Sequence, residues 1–269
     1  GWNEWIAQRF IHSEGKMAMG GVPVKPGGTF FVDQYSPEYS RDIEPMKGGF
    51  GDAYYYQLVS EIRRYKGVRK PTDVVKVKIR IDGAFEDWKV AGPEFRDTLG
   101  DPAHRRHPGW QGEPEFVNET GRNDLMSAKV APGGEFVDFY VKTREPLTPP
   151  ADRWMTLLID VDADARTGWL GYDIVVNREK PADGMATIER LKADGSREAT
   201  EAAAAVAFSG SELEMAVPRS VLGAVEKKCV VLDFKWVDGI EIGGEPSALT
   251  TDGDAAPNDR FNFRAAWDE

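Results

Sequence analysis

CVVLDFKWVDG, residues 229–239, sets Val230, Leu232, Phe234 and Trp236 against Val231, Asp233 and Lys235. A two-residue period of this kind is that of a β-strand with one face on a core. The same alternation recurs along the chain. EFVDFYVKT (135–143) opposes Val137, Phe139 and Val141 to Asp138 and Lys142, and SELEMAVP (211–218) opposes Leu213, Met215 and Val217 to Glu212 and Glu214. VVKVKIRID (74–82) opposes Val75, Val77, Ile79 and Ile81 to Lys76, Lys78 and Arg80. WMTLLIDVD (154–162), YDIVVN (172–177), ATIERLK (186–192) and RFNFRAAW (260–267) complete the series. Half-buried strands separated by Gly, Asp and Pro turns, with no long helix between them, predict a mainly β domain, an antiparallel β-sandwich spanning 73–269. A segment of that length encloses a self-sufficient core.

Residues 1–70 read differently. They carry ten Lys or Arg and eight Asp or Glu, a balance of +2, whereas the whole chain stands at −11 and the remainder therefore at −13. DAYYYQLVSEIRRYKG (52–67) places Tyr55, Leu58, Val59, Ile62 and Tyr65 on one stripe at helical spacing. Asp52 stands where it caps free N–H groups, Arg63, Arg64 and Lys66 favour the C-terminal end of the dipole, and Gly67 closes the helix. Residues 11–51 are rich in Gly and Pro without sustained periodicity and are expected to form a long loop. RKPTD (69–73) reads as a linker. One helix and one strand leave that apolar stripe uncovered, so residues 1–70 are expected to be the last βα unit of a larger catalytic domain.

Composition narrows the partners. The acidic balance argues against nucleic acid and anionic membranes. No apolar run approaches the roughly 18 to 20 residues that span a bilayer. The single cysteine, Cys229, excludes an internal disulfide and a Cys-based zinc site, and its apolar run predicts a buried, inert thiol. Three histidines, His12, His104 and His107, argue against a His-rich metal centre.

Trp2-Asn3-Glu4-Trp5, Glu44-Pro45 and GDAYYYQLVSEIRR (51–64) together resemble the end of the (β/α)₈ barrels of glycoside hydrolase family 99-like and related O-antigen-biosynthesis proteins. That resemblance implies a glycan site in a parent barrel upstream of this chain. Glu4 and Glu44 are its candidate catalytic carboxylates, with Asp33, Glu38 and Asp42 in the same loop. Trp2, Asn3 and Trp5 are its candidate substrate contacts. Trp faces suit the C–H face of a pyranose, and glycoside hydrolysis uses carboxylate pairs. The inserted residues 6–43 depart from the family pattern.

IDGAFEDW (81–88), WMTLLIDVDADARTGWLGYDIVVN (154–177), GSELEMAVPRSVLG (210–223) and NDRFNFRAAW (258–267) resemble a family 9 carbohydrate-binding module or its DOMON-like relatives. The resemblance implies an antiparallel sandwich accompanying a polysaccharide-processing enzyme, an extracellular or periplasmic setting and a structural Ca²⁺. Asp160, Asp162 and Asp164, at every second position before Thr167-Gly168, suit a hard cation, or else form a solvated turn bonding backbone N–H groups. The aromatic positions of sugar-binding members fall near Pro149-Pro150 and Ala256-Pro257 here, so Trp110, Trp154 and Trp169 are the alternative carbohydrate platforms, and Trp88 and Trp236 are expected in the core. Two other readings stand beside carbohydrate binding. One is a DOMON-like module that holds a protein or other ligand. The other is a haem-binding DOMON domain, for which His104, His107 and the Met residues offer no evident axial pair.

Overall fold

The computed structural model describes residues 9–12, 14–15, 23, 25–31, 34–36, 39–40, 43, 53–68, 72–102, 105–107, 116–224, 229–246 and 248–268. Internal contacts group into two units, Gly1–Arg69 with His104–Asn118, and Lys70–Ala103 with Glu119–Glu269. In chain order the strands are β1 (Arg9–His12), β2 (Gly28–Phe31), β3 (Gln34–Ser36), β4 (Tyr39–Ser40), β5 (Phe95–Arg96), β6 (Arg105–His107), β7 (Phe116–Asn118), β8 (Leu125–Pro132) and β9 (Phe136–Thr143). There follow β10 (Thr156–Asp160), β11 (Ile174–Val176), β12 (Met185–Leu191), β13 (Arg197–Ser209), β14 (Glu212–Pro218), β15 (Cys229–Asp238), β16 (Asp254–Ala256) and β17 (Phe263–Asp268). Helix α1 (Ala53–Lys66) precedes β5, and the short α2 (Ala248–Thr251) precedes β16.

In the first unit β1 pairs with β2, β3 with β4 and β6 with β7, all antiparallel. The stretch expected to be a loop therefore contains paired strands. Its Pro-Gly composition makes a turn: Gly28 N–H donates to the Lys25 carbonyl at 2.8 Å, and Gly27 adopts φ +74°. Helix α1 ends as its sequence predicts, with Gly67 at φ +76° donating to the Arg63 carbonyl at 2.8 Å. No residue of α1 is buried, and Tyr65 of the predicted apolar stripe is 90% exposed.

The second unit is built on one antiparallel sheet of 11 strands, ordered β16-β15-β10-β11-β12-β13-β14-β9-β8-β5, with β17 also paired to β15. Alternation decides its faces. Val137, Phe139, Val141, Leu157, Ile159, Ile174, Val176, Leu213, Met215, Val217, Leu232, Phe234 and Trp236 form one apolar interior. The sheet curls around that interior until its ends meet. Leu125 N–H at the start of β8 donates to Asp254 Oδ2 on β16 at 2.6 Å, and Phe95 of β5 packs edge-on to Phe234 at 5.2 Å and beside Phe263 at 5.3 Å. Side chains, not a continuous ladder, close this near-barrel.

The opposite face of the sheet is also covered, which alternation alone does not reveal. Leu158, Trp169, Tyr172, Val175, Val237, Ile240 and Ile242 form a second apolar cluster. Trp88, Ala91, Ala131 and Tyr140 form a third, against which Val77, Ile79 and Phe85 pack. Residues 74–82, expected to be a strand, take no place in the sheet. They run as an extended strap over its outer face, where an unpaired extended chain also turns alternate side chains inward. Glu214 of β14 fixes the strap: its Oε1 accepts Asp82 and Gly83 N–H at 2.8 Å each, and its Oε2 accepts Trp88 Nε1–H at 2.7 Å. A fully buried carboxylate is tolerated there because three donors replace its hydration. Cys229 is corrected by the structure: at the first position of β15 it is exposed.

Candidate functional site

The acidic turn after β10 is built by glycine and a two-residue hairpin. Trp169 and Tyr172 exchange N–H···O bonds at 2.9 and 3.0 Å around Leu170 (φ 58°) and Gly171 (φ 98°), a left-handed pair that glycine makes easy. At Gly168 a Cβ would lie 1.9 Å from the Tyr172 carbonyl oxygen, so only glycine fits. The hairpin folds Asp173 back beside β10: its N–H donates to the Ile159 carbonyl at 2.9 Å, and its Oδ2 accepts Val161 N–H at 3.0 Å. Carboxylate oxygens of Asp160, Asp162 and Asp173 consequently lie within 4.8 Å of one another.

Asp164, expected in this group, faces Arg166 instead, with its Oδ2 accepting Nη2–H at 2.6 Å. A guanidinium fork captures that carboxylate and holds its pKa below the ordinary value. Asp160 Oδ1 accepts Ala163 and Asp162 N–H at 2.7 and 3.1 Å, yet burial, with Asp233 and Asp173 nearby, pushes its pKa up to about 6. Burial raises Asp173 as well. Three oxygen donors of one sign answer to a hard cation. At Gly171 a Cβ would lie 3.3 Å from Asp160 Oδ2.

A second acidic group, Asp97, Asp101 and Asp254, sits at the closing seam of the sheet. Burial pushes Asp97 up to about 7 and Asp254 up to about 8. Fully buried Lys235 lies close by, donates to the Pro257 carbonyl and is brought down to about 7 by its own burial, against the pull of Asp97, Asp259 and Asp254. Lys235 is thus a buried cationic group of the chain itself beside these carboxyls.

The third feature is a groove of about 860 Å³ between the strap and the outer faces of β9 and β14. Val77, Ile79 and Ile81 line one wall, Phe136 and Pro132 another, and Lys76, Lys78, Asp138 and Arg219 supply its polar groups. The Phe136 ring is 40% exposed. Asp138, 5% exposed, is pushed up to about 7, mainly by burial and then by Glu214 and Asp87. Arg219 Nη1–H donates to the Gly133 carbonyl at 3.2 Å. Apolar walls with a few converging polar groups, in the size range of small-ligand sites, make this groove a candidate cleft for a ligand.

The sequence candidates distribute unevenly over these places. Asp160 and Asp162 belong to the acidic turn, and Asp173 joins them in place of Asp164. Trp169 is only 4% exposed and donates Nε1–H to the Gly244 carbonyl at 3.2 Å, so its ring is packed and offers no face for stacking. Trp154 is wholly buried and meets Phe208 edge-on at 5.0 Å. Trp88 and Trp236 are core residues as expected, although Trp88 sits in a 3₁₀ turn (Asp87–Lys89). Trp2, Asn3, Glu4, Trp5, Glu44 and Trp110 lie outside the described residues. Asp173 was within reach of sequence reasoning, since WLGY carries the left-handed turn signal that folds it back. Asp138 and Phe136 were not, because nothing in EFVDFYVKT shows that a strap crosses above it. Comparison with protein families, with curated proteins and with solved structures yields no match for this chain.

Proposed function

We propose that the second unit is a carbohydrate-binding accessory module of a multidomain polysaccharide-processing enzyme, working outside the cell or in a periplasm. The observation that carries this reading is the outer-face groove, where an exposed Phe136 ring and aliphatic walls adjoin Asp138, Arg219 and two lysines. A pyranose presents the matching surface: a C–H face for the ring and hydroxyls for directional polar groups. The motifs quoted for a family 9-like β-sandwich point the same way. Trp2 to Trp5 and Glu44 keep their assignment to a (β/α)₈ glycan site of the parent enzyme. Asp160, Asp162 and Asp173 are assigned to a structural Ca²⁺, which supplies charge neutralisation to the turn when bound.

Affinity electrophoresis of the whole chain through gels containing neutral and acidic polysaccharides tests the reading. Retardation by at least one polysaccharide is expected, with Phe136→Ala losing about tenfold in affinity, the scale of a lost aromatic contact. Unretarded migration in every gel sinks it and favours the alternative, a DOMON-like module that holds a protein.

A further inference from the structure

We propose that the seam of the curled sheet is a proton-operated latch: Asp97, Asp101 and Asp254 share protons while the ring is shut, and losing them as the surroundings turn from acid to neutral loosens the joint. These carboxyls come from the two ends of the sheet. Asp97 and Asp101 follow β5, whereas Asp254 opens β16, and one oxygen of each lies within 4.8 Å of the others. All three also fasten the joint. Asp254 Oδ2 accepts Leu125 N–H at 2.6 Å, Asp101 Oδ2 accepts Asn258 Nδ2–H, and Asp97 N–H donates to the Met126 carbonyl at 3.0 Å.

Donors run out at the seam before acceptors do. Asp97 Oδ2 and Asp101 Oδ1 are buried without a hydrogen-bond partner. A buried carboxylate oxygen without a donor is costly, and a proton on one carboxyl supplies an O–H where none is present. Lys235, fully buried on β15, donates to the Pro257 carbonyl and balances only one of three negative charges. The other charged groups facing the cluster deepen the imbalance: Asp259, after β16, and Asp124, before β8, are acidic, the latter 3.7 Å from Arg144. Burial accordingly raises all three carboxyls, Asp97 to about 7 and Asp254 to about 8. In an opened seam they meet water and titrate near 3.8. The closed seam therefore keeps protons that the open seam has released. Its stability, complete below about pH 4, is lost as pH rises to about 7 or 8. Lys235, brought down to about 7, is charged in both states over most of that range and does not offset the loss.

Amide hydrogen exchange of the whole chain, read by NMR as protection factors at Leu125 and Gly253, tests the latch. Both amides hold the seam, Gly253 N–H donating to Thr120 Oγ1 at 2.6 Å. Between about pH 5.5 and 7.5 their protection is expected to fall at least about tenfold more than that of the β12-β13 amides, which lie midway round the sheet. Asp97→Asn carries its own N–H donors and does not titrate, so it is expected to shrink that fall at least about threefold, and Asp101→Asn to do the same. A fall at the seam no larger than that in β12-β13 overturns the proposal, as does one that survives in both variants. Seam protection that rises with millimolar Ca²⁺ by more than β12-β13 protection assigns the carboxyls to a metal and overturns it too.

Discussion

Replacing Asp138 by Asn removes a charge from the outer row of β9, and its effect on stability is expected to depend steeply on pH. The carboxyl is 5% exposed and pushed up to about 7, first by burial and then by Glu214 and Asp87. Among the described residues no hydrogen bond reaches it. In the unfolded chain the same group titrates near 3.8. The folded state therefore keeps a proton that the unfolded state has released, and stability falls as pH rises from about 4 to about 7, then levels off. A displacement from 3.8 to about 7 corresponds to about 4 kcal/mol between the two ends of that window. Asn mimics the protonated form without the titration. Urea unfolding of both proteins is expected to give nearly equal stabilities at about pH 4 and an advantage of a few kcal/mol for Asp138→Asn at about pH 8. A difference between the two proteins that stays the same across this range would refute the burial of a raised carboxyl under the strap.

Other perturbations test other joints. Glu214→Ala leaves the Asp82, Gly83 and Trp88 donors unmatched and should cost about 2 to 4 kcal/mol, with Trp fluorescence reporting release of the strap. Arg122→Met strands the buried Asp238 carboxylate, which accepts Arg122 Nε–H at 2.8 Å and Met155 N–H at 2.9 Å; a loss of about 3 kcal/mol in chemical denaturation is expected. Millimolar Ca²⁺ is expected to raise the melting temperature, an effect abolished in Asp160→Asn and Asp173→Asn but retained in Asp164→Asn; a wild-type melt indifferent to Ca²⁺ and EDTA removes the ion. Gly168→Ala should destabilise the turn severely in a thermal melt, since its Cβ would overlap the Tyr172 carbonyl at 1.9 Å.

The interior of the second unit was legible because period two sorts side chains by face. Val137, Phe139 and Val141, or Leu232, Phe234 and Trp236, declare their side whatever pairs with them. The outer row was misread for the same reason. Asp138, Glu214 and Lys235 alternate with apolar residues and so read as solvated, yet each is buried beneath something distant in sequence. Glu214 meets its donors across more than a hundred residues, and no local pattern carries that information. The strap shows the converse error: residues 74–82 alternate like a strand but are held at scattered points, by the Ala266 and Gly92 carbonyls and by the Asp87 and Glu214 carboxylates. At the acidic turn, spacing in sequence suggested Asp164, whereas a hairpin reversal brings in Asp173 and a neighbouring Arg166 removes Asp164. Cys229 sits in an apolar run but at the exposed entry of β15, where composition is a poor guide to position.

The seam of the curled sheet has a consequence in time. Its closing bond joins Leu125 to Asp254, 129 residues apart, and Phe95 must find Phe234 and Phe263 over a similar span. Local hairpins such as β8-β9 and β13-β14 need only short loops, so they assemble long before the ring shuts. Until closure, the two ends of the sheet, β16 at one and β5 with the rest of β8 at the other, face water with unspent backbone groups, ready to zip onto another chain. Slow closure of such a ring, relative to encounters with a second chain, favours edge-to-edge association over the native state.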